Sequence, residues 1–198
     1  MKVNIYLPHT FNPSYDCDFI VGVDCGAFML AKKDIQMDVA IGDFDSINEK
    51  ELALVKKMSK KQVKLSIIKN ETDSEAAILY VLSLGYKDIT LIGDVGLRLD
   101  HLLVNYRLTE KYNVTYLLEN SKIFNFKKGH HRIKKEFQFL SLFTNDEAIV
   151  TLSGTKYELD NQKIAYYDTY TSANEIIDDF AQIEVVSGNV TVVLSSDQ

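Results

Sequence analysis

Cysteine, proline and tryptophan are nearly missing from this sequence: two, two and none in 198 residues. Cys17 and Cys25 are too few for a disulfide framework and show no metal-ligand spacing, which fits a reducing compartment. Positive charge is also short. Lys and Arg number 22 against 28 Asp and Glu, a formal charge of -6, and this balance argues against a nucleic-acid partner, since duplex binding rests on basic residues neutralising phosphates. No apolar run reaches the length of a membrane span. The opening MKVNIYLPHT lacks the basic start and long apolar centre of a signal peptide. The expectation is a cytoplasmic protein with no membrane and no nucleic acid among its partners. Core material is plentiful, with 46% hydrophobic residues, enough for one large domain or a medium one and a small one.

Up to about residue 120, short β-rich runs alternate with helical patterns, as in βαβ units around a parallel sheet. The spacing predicts strands near 3–7, 19–23, 38–41, 63–68, 88–92 and 114–118, and helices near 26–33, 48–60, 72–84 and 100–111. Beyond residue 120 the helical period fades. Short runs follow at 123–126, 137–143, 148–152, 163–167, 181–186 and 190–194, punctuated by turn signals at Lys128-Gly129, Asn145-Asp146, Ser153-Gly154, Asp160-Asn161 and Ser187-Gly188-Asn189. The fold class is therefore α/β plus all-β: a Rossmann-like parallel-sheet domain over 1–120, then a small antiparallel β-sandwich over 121–198. The basic stretch Lys127 to Lys135 reads as a solvated linker and hairpin, because no aromatics are interleaved with its charges.

The chemistry gathers around Gly42-Asp43-Phe44-Asp45-Ser46, which follows the buried run Val39-Ala40-Ile41. Two carboxylates one residue apart at a strand's carboxyl end suit a hard cation that keeps water and substrate phosphates as its other ligands. Ser46 with Glu49 has capping-box spacing for the next helix. Ligands bind beyond the carboxyl ends of strands in an open parallel sheet, and that rule brings Asp24, Asp43, Asp45, Thr72-Asp73 and Asp94 to one rim. The loop Gly96-Leu97-Arg98-Leu99-Asp100-His101 joins them. So many acids on one edge raise one another's pKa values unless cations sit between them. Thr72-Asp73-Ser74-Glu75 also has capping-box spacing, so its helix offers free backbone N–H groups to an anion. Lys69 and Arg98 add positive charge, Arg98 with the fork that holds two phosphate oxygens.

Asp24-Cys25-Gly26-Ala27, Gly42-Asp43-Phe44-Asp45-Ser46, the run Lys69 to Ala77, and Gly96 to His101 with Asn105 after it resemble, in order, the motifs of the thiamine pyrophosphokinase family. The likeness continues through Ser141-Leu142, Leu152 to Tyr157 and Asn174-Glu175. The resemblance implies an ATP-dependent transferase: an α/β nucleotide-binding catalytic domain and a β-sandwich that binds thiamine and dimerises. Such an enzyme moves the pyrophosphoryl group of ATP to thiamine with Mg²⁺, giving thiamine diphosphate and AMP. Carried over by position, Asp24, Asp43, Asp45, Asp73 and Asp100 resemble the metal and phosphate cluster, and Lys69, Thr72 and Arg98 the ATP contacts. Asp73 and Asp100 are alternative acceptors for the hydroxyl proton, with Arg98 on the phosphoryl charge. Thiamine is expected at a homodimer interface, near Ser172 to Glu175, with Ser172 and Asn174 as contacts. Three positions depart from the pattern: Leu97 and Cys25 replace glycines, and Ala173 stands where a serine is common. The alternatives are a pyrophosphokinase acting on a pterin alcohol, a metal-dependent nucleotide-sugar transferase and a nucleotide or thiamine sensor without turnover.

Overall fold

The alternation of the first half is realised as β1 (Lys2–Tyr6), β2 (Phe19–Val23), α1 (Cys25–Lys32), β3 (Met37–Gly42), α2 (Glu49–Met58), β4 (Ser59–Lys64), α3 (Asp73–Ser83), β5 (Asp88–Ile92), α4 (Leu99–Tyr112) and β6 (Thr115–Leu117). This computed structural model describes residues 1–9, 16–66, 68, 70–93 and 98–197. Lys69, Asp94, Gly96 and Leu97, all singled out in the sequence, lie outside the described residues. The chain divides into units Met1–Glu119 and Asn120–Gln198. Among the described residues no helix is long and apolar enough to cross a membrane.

In the first unit the strand order is β6-β5-β1-β2-β3-β4, and each neighbouring pair is parallel. The chain steps outward from β1 to β4 and then returns to lay β5 on the other side of β1. That reversal opens a crevice at the carboxyl ends of β1 and β5. Strands covered by helices must be apolar on both faces, and β1 accordingly buries Val3, Ile5 and Tyr6. Leu30, Ala31 and Val55 of α1 and α2 join one cluster with Tyr6, Met37, Phe44 and Ile92, each large side chain contributing about 1.5–3 kcal/mol by burial. Helix α3 packs over β1, β2 and β3, and α4 packs on β6.

The second unit holds β7 (Ser121–Lys134), β8 (Phe139–Phe143), β9 (Glu147–Ser153), β10 (Leu159–Ala165) and β11 (Phe180–Ser195). Its order is β10-β9-β11-β7, with β8 also paired to β11. Strand β11 pairs with β9 through its first half and with β8 through its second, while β7 follows it along both. Inward residues are Ala181, Ile183 and Val185 before the register shift, and Val190, Val192 and Leu194 after it. The side-chain phase thus inverts at the bulge, which is how one strand serves two sheet faces around a shared core. Gly188 at the bulge has φ +79, and a Cβ there would overlap the Glu147 carbonyl oxygen.

The fold class is as the sequence indicates: helices around parallel strands, then an antiparallel region. Several local expectations are corrected. The strand expected at 63–68 is Ser59–Lys64 and the preceding helix stops at Met58, because Ser59 Oγ donates to Val55 O at 2.7 Å and the chain turns extended there. Strand β4 is an edge, so it needs few apolar residues, and the apolar Leu65 to Ile68 misled the reading. The turn signals at Lys128-Gly129 and Ser187-Gly188-Asn189 are not hairpins but facing irregularities in the β7–β11 ladder. The basic stretch is therefore strand from Lys127 to Lys134 rather than linker. Asp160-Asn161 likewise falls within β10, at a shift in its register with β9 and with Asn161 at φ 45.

Candidate active site

The carboxyl ends of β1, β2 and β3 and the first turns of α3 and α4 surround a cleft of about 250 Å³ lined by Leu7, Pro8, His9, Asp24, Cys25, Ser46, Ser74, Arg98, His101 and Asn105. Asp24 is its centre. Its backbone is in a left-handed conformation, φ 46, at the N-cap of α1, yet its side chain caps nothing. A non-glycine residue held there costs of order 1–3 kcal/mol, and the surroundings enforce it: the Asp24 amide donates to Ile41 O at 3.1 Å, and Asp24 Oδ1 accepts from the Phe44 amide at 3.3 Å. Gly42 makes the room, since a Cβ at that position would overlap the Asp24 carboxylate. Phe44, also left-handed at φ 59, drives its ring into the core and leaves Asp43 and Asp45 on the rim.

Asp24 is raised from its ordinary 3.8 to about 7, first by burial, then by the negative charge of Asp73, with Asp43 adding to it. These three expected metal residues are therefore brought together. Asp45 is exposed, and its amide donates to Asp43 Oδ1 at 3.1 Å. Asp100 lies apart from the trio in a forked pair with Arg98, Nε to Oδ1 at 2.9 Å and Nη2 to Oδ2 at 2.6 Å. The guanidinium holds the Asp100 carboxyl well below the usual carboxylate range. Thr72 caps α3, its Oγ1 accepting from the Glu75 amide at 3.3 Å.

Among the described residues no three His, Cys, Asp or Glu side chains are placed to hold a metal ion by themselves. Mg²⁺ does not require such a cage, because it usually takes one or two carboxylates and completes its shell with water and phosphate. Crowded hard oxygen donors at Asp24, Asp43 and Asp73, with no basic residue among the causes of the Asp24 shift, fit an ion that arrives with a phosphate chain.

One reading of the sequence changes. Ser46 is not the cap of α2; Asn48 is, accepting from the Lys50 and Glu51 amides in a full capping box with Glu51. Ser46 Oγ instead lies 3.2 Å from Cys25 Sγ in the cleft wall. In the second unit Asn174 is buried and used by its own scaffold: Oδ1 accepts from the Tyr157 and Glu175 amides at 3.1 and 2.9 Å, and Nδ2 donates to Tyr157 O at 2.7 Å. Ser172 is exposed and donates to Thr169 O at 2.7 Å. Ala173 sits at φ 55 with its amide on Ser141 Oγ at 3.0 Å.

Leu7, Pro8 and His9 were missed as cleft residues, although the strand-end rule applied to β2 and β3 would have found them after β1. Asn105 is buried in the cleft wall, its Nδ2 3.5 Å from Tyr116 OH, and its i, i+3, i+7 spacing with Arg98 and His101 was the available signal.

A family model described as thiamin pyrophosphokinase, catalytic domain, matches residues 14–125, and one described as thiamin pyrophosphokinase, vitamin B1 binding domain, matches residues 130–190. The thiamine pyrophosphokinase of Bacillus subtilis (strain 168) is 29% identical over 186 residues, covering 89% of this chain and 87% of that protein. The crystal structure of a thiamin pyrophosphokinase family protein from Enterococcus faecalis superposes with a TM-score of 0.88 at 25% identity, covering 100% of both chains. That of the Bacillus subtilis enzyme gives 0.85 at 28% identity, again over 100% of both chains. The catalytic-domain model alone spans more than half the sequence and takes in the whole acid rim, so the chain belongs to the thiamin pyrophosphokinase family of enzymes.

Proposed function

We propose that the chain transfers the pyrophosphoryl group of ATP to the hydroxyl of thiamine, giving thiamine diphosphate and AMP. The observation that carries this is the meeting of Asp24, Asp43 and Asp73, which on top of burial lifts Asp24 to about 7, beside a cleft that also receives Arg98 and the first turn of α3. Carboxylates held together against their repulsion are explained by a cation-bearing phosphate ligand, and positioning with charge neutralisation is most of what phosphoryl transfer needs.

Mg²⁺ bound with the nucleotide would be held by Asp24, Asp43 and Asp73, with Asp45 on the rim, and would neutralise charge on the phosphates. Lys69, Thr72 and the free amides of α3 bind the phosphate chain. Arg98 grips phosphoryl oxygens, and its forked pair with Asp100 aims the guanidinium beforehand. Both oxygens of Asp100 are taken by Arg98, so Asp100 serves through Arg98, and Asp73 is the group that accepts the thiamine hydroxyl proton. Thiamine is held by the segment Ser172 to Glu175, with Ser172 offering its hydroxyl and Asn174 shaping the backbone. The exposed rings of Tyr157, Tyr166, Tyr167 and Tyr170 in the same unit suit a thiazolium cation and a homodimer contact. Two free thiols, Cys17 and Cys25, are in keeping with a cytoplasmic setting.

The test is to incubate the protein with ATP, Mg²⁺ and thiamine and resolve the products. AMP and thiamine diphosphate in equal amounts are expected. ADP with thiamine monophosphate, or no thiamine-dependent product, overturns the proposal.

A further inference from the structure

Thr72 and Glu75 have the spacing of a capping box, but only Thr72 caps. The Glu75 carboxylate turns away from α3, and its Oε1 takes two hydrogen bonds from the last turn of α4, from Lys111 Nζ at 2.6 Å and from Tyr112 OH at 2.6 Å. The Glu75 side chain is 14% exposed. Exposed ion pairs contribute little, whereas a shielded carboxylate with two charge-assisted bonds fixes both distance and direction.

The same turn of α3 carries Asp73, which presses its charge on Asp24, and Ser74, which lines the cleft. Helix α4 brings Arg98 and His101 to that cleft, while Lys111 and Tyr112 do not line it. Asp24 and Asp73 share a hydrogen bond when Asp24 is protonated, and when both are charged they push the start of α3 away from the end of β2. An anchor two residues further along α3 opposes that push.

We propose that Glu75 is a positioning residue for the nucleotide: held by Lys111 and Tyr112, it sets the first turn of α3 at the separation from Asp24 that the phosphate chain requires. The inference rests on reading the cleft as the ATP site.

The experiment compares the full-length wild type with E75A, Y112F, E75A/Y112F and E75Q. ATP affinity is read by calorimetry with Mg²⁺ present, alongside the KM of each substrate and the melting temperature. Misplacing the turn should weaken ATP in E75A about tenfold while the KM of thiamine holds. Y112F should lose a smaller part. The double variant should be no worse than E75A, because both changes break one clamp, and E75Q, which keeps an acceptor for both donors, should recover most of the affinity. Unchanged ATP affinity in E75A and Y112F, losses that add in the double variant, or a fall in melting temperature alone would overturn the proposal. If E75A does not fold, Y112F and E75Q decide it by the same readings. A wild type that binds ATP without releasing AMP would defeat the proposed reaction while the calorimetric comparison still judges Glu75; one that binds no ATP defeats both.

Discussion

Asp24 and Asn174 are both largely shielded polar side chains in connecting segments, one in each unit, and their surroundings are opposite. Asp24 faces two further carboxylates, accepts from the Phe44 amide and, when protonated, bonds to Asp73. Asn174 meets a backbone group with each of its polar atoms. A satisfied amide stabilises its loop in the absence of any ligand, whereas a crowded carboxylate costs stability until something positive arrives. The first unit carries the cost of a crowded carboxylate, and the second uses the polar groups of Asn174 for its own shape.

The largest expected effect separates two glycines that look alike. A Cβ at Gly42 would overlap the Asp24 carboxylate, and one at Gly188 the Glu147 carbonyl, so G42A and G188A should each lose about 1–3 kcal/mol to overpacking. Only G42A should also lose AMP formation per folded molecule, by roughly 100-fold, because it displaces a carboxylate of the site. Denaturant titration and rates on both variants check this, and the contrast collapses if G188A is as inactive as G42A.

N174A comes next. Leaving buried amides and a carbonyl without partners should cost about 1–3 kcal/mol, seen as a lowered denaturation midpoint, with the larger effect on stability rather than on thiamine KM. An unchanged midpoint with a thiamine KM raised severalfold would make Asn174 part of the site.

D24N gives the smallest change in stability and the most telling sign. An acid raised in the folded state costs nothing below its ordinary value of 3.8 and its full cost above about 7. Stability therefore falls as pH rises through that window. Removing the charge should stabilise the unliganded chain by about 1–2 kcal/mol at pH near 8, allowing for water at the cleft mouth, and not at pH near 4. The same change should weaken ATP binding in the presence of Mg²⁺. Equal shifts in melting temperature at both pH values would show that Asp24 is not crowded.

Much of this was legible beforehand where the signal is local. The run Phe19 to Val23 and the run Asp88 to Ile92 are strands where the β-rich pattern put them. Reading failed where pairing overrides local preference. Ser187-Gly188-Asn189 has turn composition, yet it lies inside a strand because β7 and β9 flank it on either side. The cap of α2 moved from Ser46 to Asn48 because the chain after Asp45 runs on along the cleft wall before the helix begins.

By itself the sequence determined the order and type of most elements, the pairing of a parallel unit with an antiparallel one, and the set of acids available at strand ends. Each follows from periodicity and residue chemistry within a few positions. Only the tertiary structure decided that Asp73 presses on Asp24 and that Glu75 reaches across to Lys111 and Tyr112. Those distances depend on strand order and helix packing, which join residues far apart in the chain, and electrostatic coupling depends on separation in space, not in sequence.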